Sequence, residues 1–330
     1  MSTPTVDVHA HLALPQVEEA VAGRPGRAVA RALEARRSGP EAQAVSGPMI
    51  RERIPRLTDV RTRLAAMDAS GIDVQLVSPV PDYHYWADEE LARTVCELAN
   101  TATADHCAKA PERLRGLGLV PLQHPHLAVD ALEHALENGL SGVEISSHAP
   151  GRELSDPAYE PFWSRAEETG ALLFLHPYGC TLDERLDRWY LSNTVGQPTE
   201  NAVALSHLIF SGVLDRHPDL RLIAAHGGGY LPTHIGRSDH AWRVRPDARG
   251  CARPPSSYLG RLYFDSLVHD RDVLRELLRV VGAGRVLLGS DYPFDMGTDD
   301  PLAALRAAGL PDPDFHAVRG GNAAALLDLS

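Results

Sequence analysis

The amino-acid sequence predicts an α/β fold, a (β/α)8 barrel in which parallel strands alternate with helices. Short apolar runs bounded by Gly or Pro occur eight times along the 330 residues, and the stretches between them carry helical periodicity. Strands that are buried on both faces read as nearly continuous apolar runs, as these do. An open doubly wound sheet would need a glycine-rich phosphate turn early in the chain, whereas the first run ends in His-Ala-His-Leu. We therefore predict one barrel domain over residues 1–330.

The predicted strands follow one another at spacings that leave room for a helix after each. They comprise residues 5–9, 74–78, 114–121, 142–146, 171–176, 221–226, 261–266 and 285–290. Between them, residues 88–108 and 271–281 carry their leucines and valines on one helical face. The sequences Asn138-Gly139 and Thr169-Gly170 are turn signals that end two further helices.

One region departs from this alternation. Residues 12–57 separate the first strand from the next predicted helix and strand, and we interpret them as a small insertion over the barrel mouth. Within the insertion, the Arg- and Ala-rich residues 29–37 predict a helix. Residues 38–48, which contain Gly, Pro and Ser, predict a loop.

The composition excludes several classes of protein. A formal charge of −12, from 44 acidic and 32 basic residues, disfavours nucleic acid or an anionic membrane as a partner. No apolar run approaches the ~20 residues of a membrane span. The four cysteines, Cys96, Cys107, Cys180 and Cys251, show no C-x-x-C spacing that would indicate a disulfide framework or a thiolate zinc site. We expect a cytoplasmic enzyme that acts on a small molecule.

The first predicted strand ends in Asp7-Val8-His9-Ala10-His11. Residues two apart in an extended backbone point to the same side, so His9 and His11 can bind one ion. By itself, this common spacing is equally typical of structural or surface histidines.

Three other predicted strands also end in side chains that bind metals or titrate, namely His176, His226 and Asp291. The C-terminal strand ends of a barrel surround one mouth, where barrel active sites lie. Histidines at three strand ends and an aspartate at a fourth therefore predict a joint metal site.

Imidazole and carboxylate donors without thiolates suit a catalytic Zn²⁺, with Mn²⁺ or Fe²⁺ as alternatives. Such an ion lowers the pKa of bound water to about 7, and His226 is the candidate base beside it. The glycines that follow His226 would let the backbone approach a ligand, although they also suit a flexible loop. Asp265 is a candidate partner for a metal-bound histidine, or else a helix cap.

Several motifs together resemble the amidohydrolase superfamily. They are Val-Asp-Val-His-Ala-His, His176-Pro, Ala-His226-Gly-Gly-Gly, Leu-Gly-Ser-Asp291-Tyr-Pro-Phe and the C-terminal Gly-Asn-Ala-Ala-Ala-Leu-Leu. Within the superfamily they are similar to the decarboxylase branch typified by 2-amino-3-carboxymuconate-6-semialdehyde decarboxylase. The resemblance extends through nearly the whole chain, including Met67-Asp68, Tyr85-Trp86 and Asp265-Ser.

The resemblance assigns roles to individual residues. It implies zinc ligands at His9, His11, His176 and Asp291, with Asp291 also catalytic, and an acid/base at His226. It implies that Arg51 binds a substrate carboxylate and that Arg237 reaches the neighbouring subunit's site in a homodimer. Guanidinium groups suit this role because they bind carboxylates bidentately. Asn193 and Phe294 fall at the substrate pocket.

Two departures from the family pattern bear on the substrate. A phenylalanine of the family is Ile50 here, and a pocket tryptophan is Asn193, which disfavours the muconate semialdehyde as substrate but leaves the metal site intact. The leading interpretation is a zinc-dependent, non-oxidative decarboxylase of a small unsaturated or aromatic carboxylate. Hydrolysis of a lactone or amide, or hydration of a double bond, are rivals on the same scaffold. The intact ligand set argues against a non-catalytic scaffold protein.

Overall fold

The predicted barrel is present in the computed structural model, which describes residues 3–177, 179 and 181–329. Eight parallel strands pair in the order β1-β2-β3-β4-β7-β8-β9-β10, and β5 and β6 form a separate small hairpin. Their bounds are β1 Val6–Leu12, β2 Val74–Pro79, β3 Leu114–Leu119, β4 Gly142–Ser146, β5 His148–Ala149, β6 Arg152–Glu153, β7 Leu172–His176, β8 Arg221–Ala224, β9 Tyr263–Asp265 and β10 Val286–Leu287. All eight predicted strands are thereby confirmed.

Backbone hydrogen bonds between the first and last strand regions close the barrel. The Val8 amide donates to the Leu288 carbonyl at 2.9 Å, and the His11 amide donates to the Tyr292 carbonyl at 2.8 Å. The segment that carries Asp291 is therefore fixed directly beside β1. The extent of a single domain over residues 1–330 stays a prediction.

The helices surround the barrel and follow its strands. They are α1 Pro15–Val21, α2 Pro25–Thr58, α3 Val60–Ser70, α4 Glu89–Cys107, α5 Ala128–Glu137, α6 Glu160–Thr169, α7 Gln197–Phe210, α8 Val213–Arg216, α9 Leu231–Val244, α10 Arg271–Val281, α11 Pro301–Ala307, α12 Asp312–His316 and α13 Asn322–Leu326. The side chains of Asp88 and Asp270 cap α4 and α10 by accepting from backbone amides of the first turn.

The apolar core has an inner and an outer part. The inner part fills the lower half of the barrel with Val6, Val8, Leu76, Phe174 and Ile223, and it includes Ala323 and Leu326 of α13, which cover the N-terminal end of the barrel. The outer part lies between the strands and the surrounding helices. The polar strand ends lie on the opposite side of this apolar layer, at the C-terminal mouth.

The insertion differs from its prediction in one part. The helix predicted over residues 29–37 is confirmed, but the loop predicted over residues 38–48 is wrong, because α2 continues to Thr58 with a single break at Gly39 (φ 78°, ψ 160°). Gly39 is required there, since a Cβ would lie 1.8 Å from the Asp187 carbonyl oxygen. Pro40 then begins a new helical segment, a position where its missing N–H costs nothing.

Helix α2 lies across the barrel mouth, as predicted for the insertion. Arg36 forms ion pairs with Asp183 (2.9 Å) and Glu184 (2.6 Å) in the loop that follows β7. Arg53 donates from Nη1 to the carbonyl of Pro293, in the loop that follows β10. The helix thus connects the two loops that come after His176 and Asp291.

The sequence predicted neither a disulfide framework nor a membrane span, and the described cysteines and helices can be compared with both expectations. Cys96, Cys107 and Cys251 are buried free thiols, whereas Cys180 lies outside the described residues. Within the described part of the chain, no helix has the length and apolar character needed to cross a membrane.

Candidate metal centre

A shift in strand register turns the two histidines of β1 into the barrel. The pairing of β1 with β2 is irregular between Asp7 and Ala10. Val8 belongs to the inner core, and the next residue, His9, also points inward, because its ring contacts Phe174 at 4.9 Å. His11 follows on the same side, so the predicted convergence of the two imidazoles is present, with their Nε2 atoms 3.1 Å apart.

His176 and Asp291 complete a four-residue cluster with these histidines. The His176 ring lies 5.3 Å from the His9 ring and 5.1 Å from the His11 ring, between centroids. Asp291 Oδ1 lies 3.5 Å from His9 Nε2 and 3.3 Å from His11 Nε2. One donor atom from each of the four buried residues lies within 4.8 Å of the others. The structure therefore brings together all four predicted ligands.

The hydrogen bonds behind the cluster set the tautomers of its imidazoles. His9 Nδ1 lies 2.6 Å from Asp265 Oδ2, His11 Nδ1 lies 3.3 Å from the Pro79 carbonyl, and His176 Nδ1 lies 3.1 Å from the Pro177 carbonyl. Each of these acceptors favours a proton on Nδ1, which leaves the lone pair of the neutral ring on Nε2. The Nε2 lone pairs of His9 and His11 thus face each other and Asp291. These groups repel one another unless a cation binds between them.

The pKa shifts of Asp291 and His176 also favour the binding of a cation. Burial alone would favour the neutral acid, but His9, His11 and His226 hold the pKa of Asp291 well below its ordinary value. Burial, reinforced by the other histidines, lowers the pKa of His176 well below its ordinary value. At neutral pH the site therefore offers a carboxylate and a neutral imidazole, the forms that bind metals.

One buried oxygen supports this interpretation directly. Asp291 Oδ1, the atom that faces both histidines of β1, has no hydrogen-bond partner among the described residues. A buried carboxylate oxygen without a partner is costly unless an ion satisfies it. Three imidazoles and one carboxylate are a donor set that suits Zn²⁺, Mn²⁺ or Fe²⁺, so the residues fit a divalent metal.

His226 lies at the rim of this cluster. Its Nε2 is 3.7 Å from Asp291 Oδ2, its side chain is 15% exposed, and its ring lies 5.2 Å from those of both His9 and His176. Both His226 and Asp291 have positive φ angles, 54° and 55°, a backbone conformation that is uncommon for non-glycine residues. The arrangement leaves His226 Nε2 near the cluster on a side chain that is partly exposed.

Asp265 connects the cluster to His226. Its carboxylate accepts from His9 Nδ1 (2.6 Å), from the His226 amide (2.9 Å) and from the Gly227 amide (3.0 Å). Burial would raise the pKa of Asp265, but the hydrogen bond from His9 keeps it below its ordinary value. The side chain therefore lies where the sequence predicted a carboxylate partner for a histidine.

The three glycines after His226 serve packing within the protein. All three have positive φ, and a Cβ on Gly229 would lie 2.0 Å from the Pro198 carbonyl oxygen. A Cβ on Gly227 would lie 2.6 Å from the Val268 side chain. The turn therefore needs glycine to fit against α7 and the segment after β9, and the approach of its backbone to a ligand stays a prediction.

The chain's relatives agree with this geometry. A family model for amidohydrolases matches residues 6–329. The chain belongs to the amidohydrolase family. It is similar to 2-amino-3-carboxymuconate-6-semialdehyde decarboxylase of Dictyostelium discoideum, with 35% identity over 77% of this chain and 72% of the relative.

Two solved structures of decarboxylases are also similar to this chain. The 5-carboxyvanillate decarboxylase of Sphingomonas paucimobilis matches with a TM-score of 0.84 and 25% identity over 100% of both chains. The dihydroxybenzoic acid decarboxylase of Polaromonas sp. JS666, whose structure holds manganese and an inhibitor, shares the fold, with a TM-score of 0.83 and 24% identity over 100% of this chain and 98% of that one. The predicted resemblance to amidohydrolase-superfamily decarboxylases is thereby confirmed.

The substrate residues inferred from the amidohydrolase resemblance are spread around the mouth. Phe294 lies beside the cluster, with its ring 5.5 Å from the His11 ring. Asn193 is half-buried in a π-helical segment, Ser192–Gly196, just before α7. Arg51 and Arg237 are both exposed, on α2 and α9, and neither has a described contact with the cluster. Their substrate roles stay predictions.

Two residues beside the amidohydrolase site escaped the sequence-based prediction. Arg53, two positions after Arg51 on α2, contacts the Pro293 carbonyl in the loop beyond Asp291. Glu144 on β4 is fully buried near His11, where its Oε2 lies 3.9 Å from the imidazole Nδ1. The sequence signal for Glu144 is a charged residue inside an apolar strand, Gly-Val-Glu-Ile-Ser.

Proposed function

We propose that this amidohydrolase-family chain removes CO₂ without oxidation from a small aromatic or unsaturated carboxylate. The observation that carries the proposal is the convergence of His9, His11, His176 and Asp291 at one buried point, with His226 at its rim. The decarboxylases among its relatives support this reaction over hydrolysis or hydration on the same scaffold.

His9, His11, His176 and Asp291 would hold the divalent ion. When bound, such an ion supplies Lewis-acid polarisation of a coordinated substrate oxygen. Zinc is our proposal for the native ion on the basis of the donor set, with manganese or iron as the alternatives. The manganese in the Polaromonas structure supports that ion as an alternative.

The chain's own acid/base chemistry centres on His226. When the bond to the carboxyl carbon breaks, its electron pair stays on the substrate carbon, which then needs a proton. His226 Nε2 lies next to the cluster and its side chain is partly exposed, so it can deliver that proton as CO₂ leaves. Asp265 fixes the His226 backbone and so positions the imidazole.

The substrate carboxylate would be bound by arginine. We propose Arg51 from the same chain and Arg237 from a partner chain, so that a homodimer is the active form. The exposure of Arg237 on α9 suits a side chain that reaches a second copy. Asn193 and Phe294 would line the pocket. Buried free thiols suit the cytoplasmic location that we propose.

Metal analysis and a substrate panel test the proposal. Reconstituted protein should bind about one divalent ion per chain through its four ligands. His176→Ala should lose that ion, whereas His226→Ala should keep it and lose about 10²–10⁴-fold in turnover. Mass spectrometry should detect CO₂ from at least one hydroxybenzoate or enoate carboxylate.

Different results would contradict the ligand assignment, the reaction type and the role of the arginine. Undiminished metal binding in His176→Ala would overturn the ligand assignment. Turnover of lactones or amides without CO₂ would replace the decarboxylase with a hydrolase. Arg51→Ala and Arg53→Ala, measured side by side, should show which arginine of α2 binds the carboxylate, because loss of that contact raises KM.

A further inference from the structure

A second buried carboxylate lies behind the predicted ligand His11. Glu144 has no exposed surface, and its Oε2 lies 3.9 Å from His11 Nδ1. Among the described residues this oxygen has no hydrogen-bond partner. Burial raises the pKa of Glu144, and the neighbouring His11 opposes that shift. An unsatisfied carboxylate oxygen inside a barrel is costly, so this position calls for a compensating positive charge nearby.

Tyr83 holds the Glu144 carboxylate in place. The Tyr83 hydroxyl donates to Glu144 Oε1 at 2.7 Å and lies 3.3 Å from the backbone oxygen of His176. The Tyr83 ring stacks on Tyr85 at 5.3 Å between centroids, and the Tyr85 hydroxyl is hydrogen-bonded to Ser146 on β4. These contacts connect Glu144 to the strand of a second predicted ligand and limit its freedom to turn away from His11.

The two histidines of β1 therefore each face a carboxylate on the side away from the cluster. His9 has Asp265 at 2.6 Å, and His11 has Glu144 at 3.9 Å. The other two acceptors near His11 Nδ1, Ser78 Oγ and the Pro79 carbonyl, are both at 3.3 Å and both neutral. Among these three neighbours of His11 Nδ1, Glu144 alone can add negative charge behind the imidazole.

We infer that Glu144 is a positioning residue of the metal centre, which orients His11 toward the ion and strengthens cation binding through its charge, with Tyr83 holding it in register. The inference rests on the metal site of the proposed function. Carboxylates behind metal-binding histidines typically change affinity 10–100-fold. Glu144 would act through His11 and would not touch the substrate.

Titration of apo-protein with Co²⁺ alone, followed by visible absorption, tests the inference without any substrate. Glu144→Gln keeps the shape of the side chain and removes its charge, so Co²⁺ should bind about 10–100-fold more weakly, with an altered absorption band. Tyr83→Phe leaves the charge but releases the carboxylate, so it should weaken binding by a smaller factor.

Two matched controls separate positioning from general destabilisation. Glu200→Gln neutralises another buried carboxylate, whose partners among the described residues are Ser147, Thr181 and His148. Tyr258→Phe removes another fully buried tyrosine hydroxyl that donates to a carboxylate, that of Asp215. Both controls should keep the Co²⁺ affinity and absorption band of the unmodified protein.

Unchanged Co²⁺ affinity and absorption in Glu144→Gln would overturn the inference, as would equal losses in the controls. If Glu144→Gln does not fold, Tyr83→Phe decides the question alone, and wild-type affinity in that variant overturns the inference. The proposed function is tested separately, by Co²⁺ binding of the unmodified protein and its release of CO₂. A protein that binds Co²⁺ normally in every variant would contradict only the role of Glu144.

Discussion

The buried guanidinium of Arg63 allows a quantitative test of how the outer side of β1 is held. Arg63 lies on α3 without exposed surface and donates to Gln75 Oε1 (2.7 Å) and to the His11 carbonyl (2.6 Å). Gln75 in turn donates to the buried carboxylate of Asp7 at 2.9 Å. Arg63→Met keeps a long apolar side chain but removes both donors and the positive charge.

The size of the effect follows from these contacts. Each hydrogen bond from a charged donor contributes about 1.5–3 kcal/mol to stability, and each buried acceptor left without its donor costs a similar amount. These two figures describe the same loss, so they are not added together. Removing one member of a buried charged network typically costs about 3–5 kcal/mol. We therefore expect the free energy of unfolding to fall by about 3–5 kcal/mol in Arg63→Met.

Urea denaturation followed by far-UV circular dichroism measures this change. Arg113→Met is the matched control, because Arg113 donates to the Asp73 carbonyl (2.6 Å), the Ile72 carbonyl (3.0 Å) and Asp68 (2.8 Å), but its side chain is 27% exposed. Water can replace those bonds, so the control should lose less than about 1.5 kcal/mol. Equal losses in the two variants, or a loss below about 1 kcal/mol in Arg63→Met, would refute the reasoning.

Three further predictions test the turn after β8, a buried histidine and the subunit arrangement. Gly229→Ala should destabilise the protein by about 1–3 kcal/mol more than Gly139→Ala, because both positions have positive φ but only Gly229 faces a backbone oxygen at 2.0 Å; equal melting temperatures would contradict this. Burial, reinforced by Arg63 and Lys109, lowers the pKa of His106 to about 4 from the ordinary 6.5. The unfolded chain then binds a proton that the folded chain does not, so the free energy of unfolding should fall as the pH falls from 6.5 to 4. His106→Gln should flatten that slope in urea titrations, and an unchanged slope would count against it. Mixing His226→Ala and Arg237→Ala chains should restore about a quarter of the activity, since half of the dimers then hold one intact site. No recovery despite subunit exchange demonstrated by native mass spectrometry would exclude a shared site.

Local sequence determined the strands, many helices and the chemistry at the strand ends. Helix α10 begins and ends at the residues that its periodicity predicts, Arg271 and Val281, because its Asp270 cap and apolar face are local signals. His9, His11, His176 and Asp291 were identifiable because parallel strands of a barrel end at one mouth, whatever the details of packing.

Tertiary structure decided what depends on contacts between distant residues. Residues 40–48 continue α2 as helix after a break at Gly39, which fits closely against the Asp187 carbonyl, and composition cannot reveal that contact. Arg53 rather than Arg51 contacts the Pro293 loop because of how α2 lies over the barrel. Glu144 lies beside His11, and the Tyr83 hydroxyl lies beside the backbone oxygen of His176. These contacts join residues far apart in the sequence, so no local signal specifies them. Periodicity and turn residues act over a few positions, whereas the orientation of a side chain over the mouth depends on how the whole barrel packs.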